Sequence, residues 1–443
     1  MPIPASILDL VQRFDLNRSA YHAGQYNEAQ VRQEFINPFW AALGWDVYNA
    51  QGYSEKYKEV VHEDALQVSG RSAAPDYAFR LGGQRVFFVE AKKPAVHIKT
   101  DISPAYQLRR YAWSAKLPLS ILTDFEEFAV YDCRIKPVKT DQAAVARVMY
   151  LTYQDYADHW DEIAALFGPE AIRKGALDRY AESNKAKKGT AEVDAAFLAE
   201  IEGWRDVLAR NIALRNPGLS VRELNRAVQM TIDRLIFLRI CEDRGIEPYG
   251  RLRDAVETAP AGQVYAQLGY LFRQADDRYN SGLFHFKPEK GRGGGDGLPS
   301  HDDFTLKLSI DDKTLKPMVS GLYYPDCPYE FSVLPADILG QVYEQFLGKV
   351  IRLTSAGRAK VEEKPEVKKA GGVYYTPTYI VDYIVRHTVG KLLEGKTPRQ
   401  VWGGERVAPL RLVDPACGAP RGAIKQYLKG KEVSRKVSSI PQY

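Results

Sequence analysis

APDYAFRLGGQRVFFVEAKKP, residues 74–94, sets two short apolar runs on either side of Gly82-Gly83. That pattern predicts a β-hairpin. Side chains alternate between the faces of an extended strand, so Glu90 and Lys92 point the same way. Asp76 joins them in only one register. A strict two-residue loop pairs Leu81 with Gln84, and Asp76 then opposes Val89 on the wrong face. One extra loop or bulge residue pairs Leu81 with Arg85, and Asp76 then opposes Glu90. Glycine accepts the positive φ of such turns, so the sequence permits a convergent Asp-Glu-Lys triplet.

The chemistry of phosphodiester hydrolysis suits these three residues. It needs a hard divalent cation held by carboxylates, and magnesium takes one or two of them besides water and phosphate oxygens. Asp76, Glu90 and the carbonyl of Ala91 are the candidate ligands. Lys92 is the candidate to orient the attacking water or stabilise the transition state. The plainer alternative is a surface hairpin with ordinary salt bridges. Against it, VFFVEA is strongly apolar, and a carboxylate ending such a run is drawn inward and needs a partner.

Outward from the hairpin, residues 1–165 mix helical and strand patterns. In EAQVRQEFINPFWAALGWDV, Val31, Phe35, Phe39 and Leu43 recur every four residues, an amphipathic helix ending at Gly44. SPAYQLRRYAWSAKL reads as a helix, and LSILTDF and EFAVYDC as strands. The mixture predicts an α/β domain. Residues 166–192 are polar, with Lys185, Lys187 and Lys188 clustered, and read as a solvated linker. From Val193 to Leu353 the patterns are mainly helical, RELNRAVQMTIDRLIFLRICEDRG being the clearest and ADILGQVYEQFLGKVI another. GRGGGDG, residues 291–297, reads as a loop, because no strand precedes it and no helix follows, as a phosphate cradle requires. Residues 354–371 read as a second, charged linker.

Composition limits the choice of class. The 443 residues are 45% hydrophobic and 26% charged, ordinary globular values with room for two to four domains. The net charge of +5 is mildly basic and compatible with a polyanion partner. Cys133, Cys241, Cys327 and Cys417 are scattered, which argues against a disulfide framework or a structural zinc site and fits a reducing cytoplasm. The N-terminus lacks the pattern of a signal peptide, and no run of about 18 apolar residues occurs.

The arrangement PD…EAK, with Asp76, Glu90 and Lys92, resembles the PD-(D/E)xK nuclease superfamily. Gln107-Leu-Arg-Arg-Tyr111 is similar to the QxxxY helix of its restriction-enzyme branch, whose members place that motif beside the active site and against DNA. Four residues apart on a helix, Gln107 and Tyr111 share a face. The resemblance implies a DNA-facing role for Gln107, Arg110 and Tyr111. NEAQVRQEFINPFWAALGW resembles that branch's opening helix, in which a Glu often supports the metal site; Glu28 is the first candidate and Glu34 the second.

GGVYYTP, residues 371–377, resembles motif X of N6-adenine DNA methyltransferases, and LVDPACG, residues 412–418, resembles their motif I. The resemblance implies that Tyr375, Thr376, Pro377, Asp414, Pro415, Ala416 and Gly418 would lie against S-adenosylmethionine. A strand ending in a glycine-bearing loop lets backbone approach a ligand closely. The match is incomplete. Ala419-Pro420 stands where the family has Ser-Gly, only 25 residues follow Gly418, and no catalytic NPPY tetrapeptide occurs. The tail 419–443 carries six Lys/Arg and one Glu and reads as a basic, disordered end.

The order of segments resembles the type IIG restriction-modification enzymes, here expected to be truncated. The expected fold class is α/β. A restriction-endonuclease-like mixed-sheet nuclease domain (1–165) precedes the linker 166–192, a mainly α-helical connector (193–353), the linker 354–371 and a partial Rossmann-like methyltransferase segment (372–418). The expected function is magnesium-dependent cleavage of double-stranded DNA in the cytoplasm, with an inactive methyltransferase segment. The alternatives are a non-catalytic DNA-binding remnant and an adenine-specific methyltransferase.

Overall fold

The computed structural model describes residues 3–334 except 24, 63–66, 69–70, 73–74, 184–192, 280–281, 288–301 and 303, then 349–363 except 355–356, and beyond these only 383, 387 and 391. Compact packing divides the chain into residues 1–373 and 374–443. The loop 291–297, the helix expected from residue 336 up to 348, both methyltransferase motifs and the basic tail all lie outside the described residues.

The N-terminal part is built on a six-stranded mixed sheet in the order β1-β4-β5-β6-β7-β8. Its strands are β1 (Val60–His62), β4 (Tyr77–Leu81), β5 (Gln84–Ala91), β6 (Leu119–Thr123), β7 (Glu127–Asp132) and β8 (Arg147–Thr152). A two-residue-strand hairpin, β2 (Gln67–Val68) and β3 (Arg71–Ser72), lies outside this sheet. Among the described strands only β5 and β6 run parallel, and α4 (Ile102–Ser114) connects them. The two faces bury different side chains, as strand alternation requires. Phe79, Phe87 and Val89 enter one core with Val31, Phe35, Phe39 and Trp40; Ala78 and Phe88 enter another with Leu108, Tyr111 and Ala112 of α4.

α1 (Ala5–Tyr21) opens the chain. The helix expected to end at Gly44 follows as three pieces: α2 (Glu28–Val31), a π turn (Arg32–Ile36) and α3 (Asn37–Ala42). Asn27 caps it with a box closed by Gln30. Val31, Phe35, Phe39 and Leu43 are all buried, each contributing roughly 1.5–3 kcal/mol.

The linker expected at 166–192 is partly folded. After α5 (Tyr156–Phe167), helices α6 (Pro169–Arg173) and α7 (Ala176–Ser183) pack Ile172 and Leu177 into the sheet's first core. These few apolar residues suffice to dock an otherwise polar segment.

The connector is helical as expected, with α8 (Val193–Arg215), α9 (Val221–Asp243), α10 (Arg251–Glu257), α11 (Val264–Tyr279) and α12 (Asp312–Ser320). Two expectations fail at its end. Residues 349–351 are strand instead of helix, and the charged linker contains a strand: β9 (Lys349–Leu353) pairs antiparallel with β10 (Ala359–Glu363). Asn225 of α9 fixes β9 by exchanging hydrogen bonds with the backbone of Ile351, at 2.8 and 2.9 Å. Ile351 is thereby buried in the helical core.

Candidate nuclease site

The turn and the register divide the work of bringing Asp76 to Glu90. Gly82 and Gly83 both take positive φ, +58° and +83°, and close a tight two-residue loop that pairs Leu81 with Gln84. The extra residue lies in the strand. Arg80 pairs with Arg85 but Phe79 with Phe87, so Val86 bulges. Pairing then continues to Tyr77 with Val89, and its extension sets Asp76 against Glu90. The expected register at the site is reached by a different route: Leu81 does not pair with Arg85.

The carboxylates meet beyond this pair. The Ala91 N–H donates to Asp76 Oδ2 at 2.7 Å. Lys92 Nζ donates to Glu90 Oε1 at 2.7 Å, and Gln107 Nε2 donates to the same oxygen at 2.8 Å. Lys92 Nζ also lies 3.6 Å from Glu28 Oε2. The Lys92 N–H is held by Thr123 O at 3.0 Å, continuing the parallel ladder to the end of β6. Hence β5, β6, α2 and α4 together position these groups.

Electrostatics follow from burial. Glu90 is 2% exposed, and burial, then the Asp76 charge, pushes its carboxyl up to about 8, against the opposing pull of Lys92. Burial followed by Asp76 also raises Glu28. Burial favours deprotonating Lys92, but the carboxylates of Glu90, Glu28 and Asp76 outweigh it and raise its pKa. The ammonium therefore stays charged.

The donor set suits a hard cation. Glu90 Oε2 is buried with no hydrogen-bond partner, an expensive state for a carboxylate oxygen unless a ligand meets it. Among the described residues no three His, Cys, Asp or Glu side chains gather as a set that could hold a metal ion by themselves. Two carboxylates and the Ala91 carbonyl match an ion that keeps several waters, as magnesium does.

The other expected residues divide. Gln107 touches Glu90, and Tyr111 is buried in the sheet's second core, where burial first, then the charges of Glu330 and Glu90, raise its phenol. Glu28 faces the site. Glu34 does not: its recorded hydrogen bond is from Arg13 to its backbone oxygen. Arg110 is buried and bonded within the protein. It is 5% exposed, and its guanidinium donates to the carbonyls of Cys327 and Tyr329, both at 2.9 Å, with Glu330 Oε2 at 3.6 Å. Tyr375, Thr376, Pro377, Asp414, Pro415, Ala416 and Gly418 lie outside the described residues. One site residue was missed. Arg32 Nη1 lies 3.4 Å from Asp76 Oδ1, and its only sequence signal was its place one helical turn after Glu28.

A mixed sheet with a parallel β5–α4–β6 unit is the mixed α/β architecture expected from the sequence, and its hairpin brings an Asp, a Glu and a Lys together. Comparison with known proteins bears out the resemblance to restriction-modification enzymes. The chain is 34% identical over 412 residues, 93% of its own length, to the "Type II restriction enzyme and methyltransferase RM.Eco57I" of Escherichia coli. It spans 39% of the length of that relative. Among solved structures, the type IIG restriction endonuclease BpuSI matches 83% of this chain and 35% of its own, at 15% identity and a TM-score of 0.22. No family model matches the chain. No helix among the described residues is long and apolar enough to cross a membrane.

Proposed function

We propose that this chain is the endonuclease part of a restriction-modification enzyme and hydrolyses phosphodiesters of double-stranded DNA with magnesium. One observation carries the reading: Glu90 is buried against Lys92 and Gln107 with its second oxygen unpartnered, beside Asp76. Asp76, Glu90 and the Ala91 carbonyl would hold the ion, with Glu28 behind them. When bound, magnesium supplies positive charge opposite the phosphate and activates water. Lys92, kept protonated by its carboxylate neighbours, orients the attacking water and neutralises developing charge. Gln107 fixes the Glu90 carboxylate, so the ligand does not have to reorganise during reaction.

The test is plasmid cleavage with magnesium by the chain, by Asp76→Ala and by Lys92→Ala. Each variant is expected to lose at least about 100-fold in rate. Cleavage that survives both substitutions refutes the site.

A second reading rests on the relative, whose name includes a methyltransferase. S-adenosylmethionine would then lie against Tyr375, Thr376, Pro377, Asp414, Pro415, Ala416 and Gly418. Transfer of a labelled methyl group to DNA by this chain is the observation that would favour it.

A further inference from the structure

Opposite the hairpin, α2 and the π turn present two charges one turn apart. Glu28 meets Lys92 at 3.6 Å, and Arg32 meets Asp76 at 3.4 Å. The helix thus matches each hairpin charge with its opposite. Arg32 is held over an aromatic platform: its Cζ lies 5.0 Å from the centroid of the Tyr77 ring. The Tyr77 hydroxyl donates to Asn37 Oδ1 at 2.7 Å, so Arg32 at the start of the π turn and Asn37 just after its end both hold the residue next to Asp76. Such turns occur often where a helix shapes a functional site.

The contact from Arg32 to Asp76 is longer than the roughly 2.7–2.9 Å of a close charge-assisted pair. A guanidinium also fits phosphate as well as it fits carboxylate. Asp76 is the residue on which a divalent ion is expected to settle, and two cations on one carboxylate repel each other. We propose that Arg32 serves Asp76 as a tethered cation before the ion binds. The ion displaces it, and it then grips a non-bridging oxygen of the phosphate to be cut. This inference rests on the nuclease reading.

Calorimetric titration of the full chain with calcium, together with the magnesium cleavage assay, tests it. Arg32→Met removes the competing charge. It is expected to bind calcium about 5-fold more tightly, the effect of one lost partly exposed ion pair, while cutting DNA at least about 10-fold more slowly. A purely structural role would weaken ion binding and cleavage together. Arg32→Gln retains a hydrogen bond to Asp76 and carries the same prediction should the Met variant fail to fold. Calcium affinity no tighter than wild type, or wild-type cleavage, in the folded variants overturns the proposal. Asp76→Ala separates the two layers. If it abolishes calcium binding and the Arg32 variants leave affinity unchanged, only the role of Arg32 fails. If it leaves calcium binding intact, the nuclease reading fails and this inference with it.

Discussion

Replacing Glu330 with Gln should make the protein more stable in alkali and leave it nearly unchanged in mild acid. Glu330 is 6% exposed and lies where the segment after α12 crosses α4. Its Oε2 is 3.6 Å from Arg110, its N–H donates to Ser114 Oγ at 2.8 Å, and its Oε1 accepts from Ser332 at 3.0 Å. Burial, then the Asp243 charge, pushes its carboxyl from the ordinary 4.5 up to about 8, although Arg110 and Arg239 pull it down. The folded protein therefore keeps this proton between about pH 4.5 and 8, where the unfolded chain releases it. The stabilisation is complete below pH 4.5 and is lost as pH rises through about 8. At 1.36 kcal/mol per pH unit the whole effect is on the order of a few kcal/mol. Gln has the same shape, accepts from Ser332 and carries no proton to lose. Melting temperatures of both proteins across pH 5.5 to 9 provide the assay, at roughly 2–4 °C per kcal/mol for a domain of about 150–250 residues. A difference between variant and wild type that stays flat over that range, or one that favours wild type in alkali, refutes the reasoning.

Two further outcomes follow from packing and register. Deleting Val86 removes the bulge yet keeps Phe79 opposite Phe87 and Asp76 opposite Glu90, because Val86 is the extra residue; calcium binding and DNA cleavage should both survive, and loss of both in the folded variant would show that the bulge itself, rather than the pairing it permits, sets the site. Arg234→Leu should cost about 3–5 kcal/mol in urea denaturation, because the fully buried guanidinium pairs with Asp302 at 2.6 Å and donates to Thr305 Oγ1 and Leu283 O. Arg234→Leu combined with Asp302→Leu should recover much of that loss, since no lone charge then remains buried.

Legibility of the fold in the sequence reached furthest where a local rule sufficed. Gly82-Gly83 announced the turn, alternation placed Glu90 with Lys92, and four-residue steps traced the buried face through Val31, Phe35, Phe39 and Leu43. It stopped where a choice depended on partners distant in sequence. Nothing in QRVFFV distinguishes Val86 from its neighbours as the bulged residue; the sheet on either side decides it. The QxxxY pattern brought Gln107 to Glu90, yet drew Arg110 into the same role. Arg110 is buried because Cys327 and Tyr329, more than two hundred residues later, offer it carbonyls. Residues 349–351 looked helical in isolation, and their strand exists because Asn225 and residues 359–363 supply its hydrogen bonds.

These long-range contacts change what the connector is. α4 carries Gln107 to Glu90 on one side and is built into the connector on the other. Trp113 belongs to the helical core and stacks on Tyr329 with centroids 5.5 Å apart, Tyr106 OH donates to Pro325 O at 3.0 Å, and Ser114 and Arg110 hold the same crossing segment. Buried polar contacts of this kind act as a unit, since any one left unmatched exposes its partners to an uncompensated burial cost. A helix of 13 residues is stiff over its length, so its second face inherits the placement of its first. The orientation of Gln107, and through it the carboxylate of Glu90, is thus set in part by residues 325–332. The connector is a structural wall of the nuclease site as well as the segment that follows it.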